Sequence, residues 1–160
     1  MPLHSEALIL KDGRQSDTAL LIARGTRRLL RARKFATLTE MPLASGRRAD
    51  IVALAPDSTI LIVEIKSSIA DFRADAKWPE YRAHCDRLYF AISGETPPEI
   101  MPEDAGLIIA DGFGAEILRE APVHRLAAAT RRSMLLRFAH AAALRLHGLA
   151  DPESLGFGSI

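Results

Sequence analysis

The chain has 160 residues, the size of one ordinary domain, and its 48% hydrophobic and 26% charged residues exclude a wholly disordered protein. A single cysteine, Cys85, excludes an internal disulfide and a cysteine-rich zinc site, which favours a reducing compartment. No apolar run approaches the roughly 18 residues that span a membrane, and the first residues lack a signal-peptide pattern. We therefore expect a soluble, cytoplasmic protein with no membrane partner.

The net charge of +1 hides an uneven distribution along the chain. Residues 1–48 contain ten lysines and arginines against four acids, whereas the remaining 112 residues contain eleven bases against sixteen acids. A basic first part suits a polyanionic partner if its charges share one face, but arginines that merely solvate a helix give the same count. Charge alone does not choose between these interpretations.

The first predicted element is an amphipathic helix over residues 17–34, with Ser16 as its N-cap. Apolar residues recur along one side of this helix and arginines along another. Three strands are predicted next, at residues 35–41, 48–54 and 59–66. The tight turn at Pro56-Asp57-Ser58 predicts that the second and third strands pair as a hairpin.

A short helix is predicted after the third strand, because Ser68 and Asp71 fit a helix-capping pattern. Asp71 and Asp75 are interpreted as first-turn acids that complement the helix dipole. Pro79 either kinks this helix or starts a second one that continues to Cys85.

Three strands and a long helix complete the predicted domain. The strands are predicted at residues 88–92, 107–110 and 115–118, and the helix at residues 127–147 with Gly148 ending it. The element order αβββαβ followed by ββα predicts an α/β domain with a mixed sheet over residues 17–150. An N-terminal segment of residues 1–16 precedes this domain, and a flexible tail of residues 151–160 follows it.

The third strand is apolar on both faces and yet ends in charged residues. Glu64 and Lys66 are two residues apart and therefore point to the same face of the sheet. Burying such charges is costly unless they are paired, bind a metal or open into a cleft. The hairpin can bring Asp50, which precedes the apolar run of the neighbouring strand, beside Glu64. Two adjacent carboxylates repel unless a divalent cation such as Mg²⁺ neutralises them.

The spacing of these residues resembles the PD-(D/E)XK nuclease superfamily, in which an acidic residue precedes a Glu-x-Lys motif at the end of a buried strand. In this chain the motif reads Ala49-Asp50 and Glu64-Ile65-Lys66, with Ala49 in place of the usual proline. The predicted order αβββαβ also matches the core of that superfamily. The resemblance therefore implies a restriction-endonuclease-like fold, with helices flanking a mixed central sheet.

Longer segments are similar to the bacterial MmcB family of DNA repair proteins, which are small single-domain members of the same superfamily. The similar segments are residues 46–51, 63–68, 71–81 and 85–91, and the likeness extends over about residues 20–152. The family implies a metal-dependent DNA endonuclease that acts in the response to DNA damage. DNA is the implied partner, with a homodimer or DNA repair proteins as further candidate partners.

The resemblance also implies roles for the site residues. Asp50 and Glu64 are the expected ligands of Mg²⁺, or of Mn²⁺ in its place, together with the backbone carbonyl of Ile65. Lys66 is expected to orient or help deprotonate the attacking water and to stabilise the charge that accumulates on the phosphate. Glu40, near the end of the first strand, is a candidate additional acid, and an exposed strand-end acid is a nearly equal interpretation.

Basic residues near this site are candidate contacts to DNA phosphates. The candidates are Arg24, Arg27, Arg28 and Arg31 on the first helix, Arg47 and Arg48 beside Asp50, and Lys77 and Tyr81 after the motif. Strand alternation predicts that Arg48 shares a face with Asp50. Lys77 and Tyr81 share a helix face if Pro79 leaves the helix unbroken, and a solvated lysine with a packed tyrosine is an equal alternative.

Two other functions stay open at this point. The same fold could hold DNA or a repair partner without cutting it, although the intact Asp50, Glu64 and Lys66 argue against an inactive enzyme. The strand-end charges could instead be structural features of a plain α/β interaction protein. Binding of a divalent metal separates the enzyme from the interaction protein, because only the enzyme requires it at Asp50 and Glu64.

Overall fold

A computed structural model of the chain describes residues 16–157. Within that range the chain forms three α-helices and six strands. The helices are α1 (Asp17–Ala32), α2 (Ile69–Ala74) and α3 (Ala128–Ala150). The strands are β1 (Ala36–Pro42), β2 (Arg48–Leu54), β3 (Ile60–Ile65), β4 (Arg87–Ile92), β5 (Gly106–Ala110) and β6 (Ala115–Arg119). Short 3₁₀ helices occupy Trp78–His84, Pro98–Ile100 and Pro152–Phe157.

The six strands form one mixed sheet whose spatial order follows the chain order. β1, β2 and β3 are antiparallel neighbours, β3, β4 and β5 run parallel, and β6 pairs antiparallel with β5. The predicted hairpin of the second and third strands is confirmed. The chain passes through α2 and the 3₁₀ helix Trp78–His84 between the parallel strands β3 and β4. The predicted α/β domain with a mixed sheet is therefore confirmed.

Helices cover both faces of the sheet. On one face, α1 packs Ile22 and Leu30 into a cluster that contains Val63 of β3. On the other face, α3 packs Met134 into a cluster that contains Ile62 of β3. All six residues of β3 are buried because both of its faces are covered. Among the described helices, none is long and apolar enough to cross a membrane.

The predicted first helix is confirmed at its start and differs by two residues at its end. The Ser16 hydroxyl accepts a hydrogen bond from the N–H three residues further on, as expected of an N-cap. The helix ends at Ala32 because Lys34 adopts a φ of 69°, which lies in the left-handed region. The N–H of Lys34 then turns back to a carbonyl of the last helical turn, which is a common way to end a helix.

Pro79 starts a second helix instead of kinking the first. α2 ends at Ala74, and Pro79 lies in the first turn of the 3₁₀ helix Trp78–His84, where a missing N–H leaves no carbonyl unpaired. The interruption separates Lys77 from Tyr81, so the shared helix face proposed for them does not form.

The predicted end of the last helix at Gly148 is wrong. α3 continues through this glycine to Ala150, and the N–H of Asp151 donates to the carbonyl of His147. A 3₁₀ helix then occupies Pro152–Phe157, where the sequence predicts a flexible tail. Residues 158–160 of that tail, and residues 1–15 of the predicted N-terminal segment, lie outside the described residues.

A buried ion pair joins α3 to the sheet. Asp86 precedes β4, is 4% exposed, and accepts two hydrogen bonds of 2.7 Å from the guanidinium of Arg131. Its carboxylate also accepts the N–H groups of Ile60 at 2.8 Å and Leu126 at 2.9 Å. Burial by itself raises the pKa of Asp86, but these hydrogen bonds outweigh it and lower the pKa to about 2.

Replacing Arg131 with methionine should lower the free energy of unfolding by about 3 kcal/mol, because it leaves the Asp86 carboxylate buried without a cation. The folded-state pKa of Asp86 lies below its unfolded value of about 4. Its stabilisation is therefore complete above about pH 4 and is lost as the pH falls through 2. Urea unfolding at neutral and acidic pH measures both effects, and the difference between wild type and Arg131→Met should shrink in acid.

Arg137→Met is the matched control, because Arg137 is an exposed arginine on the same helix. Its effect should stay within about 0.5 kcal/mol. Equal destabilisation by the two variants would show that the Asp86–Arg131 pair does not anchor α3.

Candidate functional site

The pairing of β2 with β3 places Asp50 beside Glu64. Ile51 lies opposite Val63 in the antiparallel register, so the preceding residue of β2 meets the next residue of β3. The Asp50 N–H donates to Glu64 Oε1 at 3.1 Å, and the Ile65 N–H donates to Asp50 Oδ2 at 2.8 Å. Each carboxylate thus accepts a backbone hydrogen bond from the neighbouring strand, and the structure brings the two predicted acids together.

Burial makes this pair of carboxylates electrostatically unfavourable when both are charged. Glu64 is 3% exposed. Burial, and then the charge of Asp50, raise the pKa of Glu64 well above its ordinary value. Burial also raises the pKa of Asp50, although the hydrogen bond from the Ile65 N–H opposes this rise. The pair is therefore suited to share a proton or a cation.

Lys66 follows β3 directly and is also buried, with 6% of its surface exposed. Its Nζ donates to Asp75 Oδ2 at 2.7 Å, so Lys66 forms its ion pair with Asp75 and not with Glu64. Asp75 caps the C-terminal end of α2, and its interpretation as a first-turn acid is wrong. The interpretation is confirmed for Asp71, which lies in the first turn. The sequence feature that could have indicated this ion pair is Lys66 itself, because a lysine at the end of a buried strand requires a nearby anion.

These side chains line one cleft of about 330 Å³. Its lining residues are Ser16, Ala19, Arg47, Asp50, Glu64, Ile65, Lys66, Ser67, Asp71, Asp75 and Tyr81. The first turn of α1 reaches the cleft through Ser16 and Ala19, which brings the positive end of a helix dipole to its rim. The cleft therefore combines buried acids with a lysine and a helix N-terminus.

Two of the predicted phosphate contacts, Arg47 and Tyr81, line this cleft. Arg47 Nε donates to Glu80 Oε2 at 2.6 Å, and its guanidinium lies 5.9 Å from the centre of the Tyr81 ring. The Tyr81 hydroxyl donates to the carbonyl of Arg48 at 3.2 Å. Burial, and then the charge of Glu64, raise the pKa of Tyr81 to about 12. Lys77 is exposed and does not line the cleft.

Glu40 and Arg48 lie outside the cleft lining. Arg48 Nε forms an ion pair with Glu40 Oε2 at 2.7 Å across the β1–β2 pair. Glu40 also adopts a φ of 52°, which interrupts the regular alternation of β1. Of the two predicted arginines beside Asp50, Arg47, which precedes β2, lines the cleft and Arg48 does not.

The four arginines of α1 differ in their surroundings. Arg24, Arg28 and Arg31 are exposed, and Arg28 donates to the carbonyl of Phe113 at 3.1 Å. Arg27 instead donates to the hydroxyl of Thr37 at 2.9 Å. Burial, and then the charge of Arg145, lower the pKa of Arg27. All four side chains are exposed, but Arg27 also supports the contact of α1 with β1, and Arg28 supports a contact with the turn between β5 and β6.

The donor set of the cleft fits Mg²⁺ better than a metal that needs a complete protein cage. Among residues 16–157, no group of three or more histidine, cysteine, aspartate or glutamate side chains is arranged to hold a metal. Mg²⁺ commonly binds through one or two carboxylates and takes its other ligands from water and substrate phosphates. Asp50 and Glu64 supply two such carboxylates, and their mutual repulsion favours a bound cation.

The fold and the cleft together define an α/β protein with a buried carboxylate pair and a lysine at one end of a mixed sheet. A family model described as DNA repair protein MmcB-like matches residues 6–153 of the chain. The chain therefore belongs to the MmcB-like family of DNA repair proteins, as the resemblance of its sequence segments predicts.

A solved structure of a protein of unknown function from Silicibacter pomeroyi is similar to this chain. The two are 45% identical and superpose with a TM-score of 0.83, over 87% of this chain and 95% of that one. No curated protein shows significant similarity to the chain. These similarities establish the family and the architecture of the chain.

The metal-free protein should lose stability as the pH rises above about 4.5. The pKa of Glu64 is higher in the folded state than its unfolded value of about 4.3, so the folded state retains a proton that unfolding releases. Glu64→Gln removes this titration, and the variant should be as stable as wild type or more stable at pH 8. Urea unfolding in a chelator at pH 5 and pH 8 measures the effect.

Glu116→Gln is the matched control, because Glu116 is an exposed glutamate on β6. It should leave the pH dependence of wild type unchanged. A Glu64→Gln protein that is less stable than wild type at pH 8 would contradict the unfavourable burial of this carboxylate.

Proposed function

We propose that the protein is a Mg²⁺-dependent DNA endonuclease of the PD-(D/E)XK type, with a restriction-endonuclease-like core. The observation that carries the proposal is the buried Asp50–Glu64 pair beside Lys66 in one cleft. Membership of a DNA repair family supports DNA as the substrate. The reaction is hydrolysis of a phosphodiester bond.

The chemistry of this reaction accounts for the residues of the cleft. The transition state accumulates negative charge on the phosphate, so the site has to supply positive charge in a fixed position. Mg²⁺, held by Asp50, Glu64 and the carbonyl of Ile65, would supply Lewis acidity and an activated water. Mn²⁺ can take its place, since it accepts the same oxygen ligands.

Lys66 is the second source of positive charge in the proposed site. Its Nζ can stabilise the charged phosphate and orient the attacking water. Asp75 accepts a hydrogen bond from this Nζ at 2.7 Å and thereby restricts the position of a long, flexible side chain. A fixed lysine loses little conformational freedom when the substrate enters, which favours the transition state.

The exposed arginines of α1 support DNA as the substrate. Arg24, Arg28 and Arg31 follow helical spacing along one exposed stripe, and none forms an ion pair with another described residue. The stripe begins at Arg24, about two turns after the N-terminal turn of α1 that borders the cleft. These arginines are candidate contacts to DNA phosphates outside the cleft, and such contacts bind DNA without reading its sequence.

Cleavage of labelled duplex, single-stranded, flap and junction DNA with Mg²⁺ or Mn²⁺ tests the proposed reaction. Wild type should cut at least one of these substrates in a metal-dependent way. Glu64→Gln and Lys66→Met should each lower the rate by about 100-fold or more, because each removes a group that acts on the transition state. Thermal unfolding of each variant checks that it is folded.

Glu116→Gln serves again as the control and should cut at the wild-type rate. Wild type that binds these DNAs but cuts none of them with either metal would overturn the endonuclease proposal. The non-cleaving DNA-binding module would then be the better assignment.

The arginine stripe makes a separate prediction about binding. Arg24→Gln, Arg28→Gln and Arg31→Gln should each weaken binding to all DNA sequences alike and reduce the slope of log affinity against log salt by about one. Fluorescence anisotropy with a labelled duplex over a range of salt concentrations measures this slope. Arg137→Gln on α3 is the control, and an equal change in its slope would show that the effect does not belong to α1.

A further inference from the structure

α3 carries an apolar surface on the side that faces away from the sheet. Its inward side buries Met134 and Phe138, but no later residue of this helix is buried. Four leucines of α3 are between 46% and 67% exposed, namely Leu136, Leu144, Leu146 and Leu149. A helix with apolar residues on several sides is normally covered by further protein, and contiguous exposed apolar surface marks an interaction site.

Six exposed positions of α3 follow the alternating steps of four and three residues that keep side chains in one stripe. These positions are Arg132, Leu136, Ala139, Ala143, Leu146 and Ala150, and we call them the α3 seam. The two alanines in the middle allow another helix to approach closely, because interaxial distance depends on the side chains at the contact. The α3 seam is therefore shaped to receive a helix.

The spacing of the α3 seam is the same when it is read from either end. In an antiparallel pair of identical helices related by a two-fold axis, Leu136 lies opposite Leu146 of the partner subunit, and Ala139 lies opposite Ala143 of the partner subunit. This self-complementarity is what an interface between two copies requires, since each contact then occurs twice.

Charge complementarity also favours a second copy of this chain as the partner of the α3 seam. The antiparallel arrangement places Arg132 opposite the partner subunit's Ala150 and next to the partner subunit's Asp151. Arg132 forms no ion pair within residues 16–157. Asp151 has only the imidazole of His147 at 3.9 Å as an ion-pair partner in the described part of the chain. The two-fold axis would give one such Arg–Asp ion pair at each end of the seam.

A groove beside the first half of the seam gives the leucines a place to insert. It has a volume of about 680 Å³, and Leu126, Leu135, Leu136 and Ala139 contribute to its lining. The partner subunit's Leu146, which lies opposite Leu136, would enter this groove. The two-fold axis repeats the insertion, so that both copies fill their grooves.

We propose that the α3 seam is the interface of a homodimer in which α3 packs antiparallel on α3 of a second copy. The seam from Arg132 to Ala150 is about 27 Å long. A helix pair of this length buries on the order of 1,000 Å² in total, the lower end of the range for specific interfaces. Interfaces at this end of the range include weak ones, and we take a dissociation constant of about 1 μM or higher as the expectation to be tested. This proposal does not depend on the proposed endonuclease activity.

Sedimentation equilibrium of the 160-residue chain from about 1 to about 500 μM tests the proposal around the expected dissociation constant. Wild type should change from monomer to dimer across this range. Leu136→Glu and Leu146→Glu should each raise the dissociation constant at least tenfold, because they bury a carboxylate in an apolar contact. Leu144→Glu is the control, since Leu144 is 60% exposed on the same helix but lies off the seam.

Several results would overturn the proposal. A wild type that stays monomeric up to 500 μM would show that the seam does not bind a second copy, and another segment or another protein would then be its occupant. A dimer that persists in Leu136→Glu and Leu146→Glu would place the interface elsewhere. Equal loss of the dimer in Leu144→Glu would show that the seam is not the specific contact.

Cysteine crosslinking tests the antiparallel register. A mixture of Ala139→Cys and Ala143→Cys chains should form a covalent dimer under oxidation, whereas each chain alone should form much less. The native Cys85 is buried and adds little background. Crosslinking that is strongest within Ala139→Cys alone would show a parallel or a shifted antiparallel arrangement and overturn the register.

A charge exchange is independent of the crosslinks. Arg132→Asp should weaken the dimer, and the added substitution Asp151→Arg in the same chain should restore it. Restoration requires that the two positions face each other across the interface, because they are not paired within one chain. Failure of the double variant to recover affinity would overturn the proposed pairing.

Discussion

The register of the β2–β3 hairpin is the constraint on which the candidate site depends. Ile51 and Val63 pair across the hairpin and both lie in the core beneath α1, so burial of apolar surface fixes which residues face each other. A slip by one residue would move every side chain of β3 to the opposite face of the sheet. The hydrophobic core thereby holds Asp50 next to Glu64, although the two carboxylates repel.

Another buried carboxylate of the same domain, that of Asp86, has its pKa shifted in the opposite direction to that of Glu64. Asp86 receives the guanidinium of Arg131 as well as two backbone N–H groups, and its pKa falls to about 2. Asp50 and Glu64 each accept one cross-strand N–H, while the nearby Lys66 is bound to Asp75. Glu64 and Asp86 are buried to a similar extent, at 3% and 4% exposed, and Asp50 is half-buried, but the number of donors differs. The Asp86 carboxylate is satisfied by the protein itself, whereas Asp50 and Glu64 are satisfied only in part and can share a proton or a cation.

Patterns among neighbouring residues in the sequence predicted much of the fold. The bounds of β2, the hairpin and the N-cap Ser16 could be read from the sequence, because each depends on neighbours along the chain. The ion pair of Asp75 with Lys66 could not be read in this way, because it depends on where α2 ends in space relative to Lys66. Arg47 and Arg48 were both predicted beside Asp50, but only Arg47 lines the cleft, whereas Arg48 pairs with its diagonal neighbour Glu40, a contact that strand alternation alone does not predict.

The two long helices cover opposite faces of the sheet and differ in what they direct to solvent. α1 buries one apolar side and exposes Arg24, Arg28 and Arg31, so its outer surface suits a polyanion. α3 exposes leucines and alanines instead, and a surface of this kind gains free energy only when another apolar surface covers it. Because the helices lie on opposite faces, a nucleic acid on α1 and a protein on α3 would not compete for the same surface. The proposed DNA contacts and the proposed dimer interface therefore involve different residues.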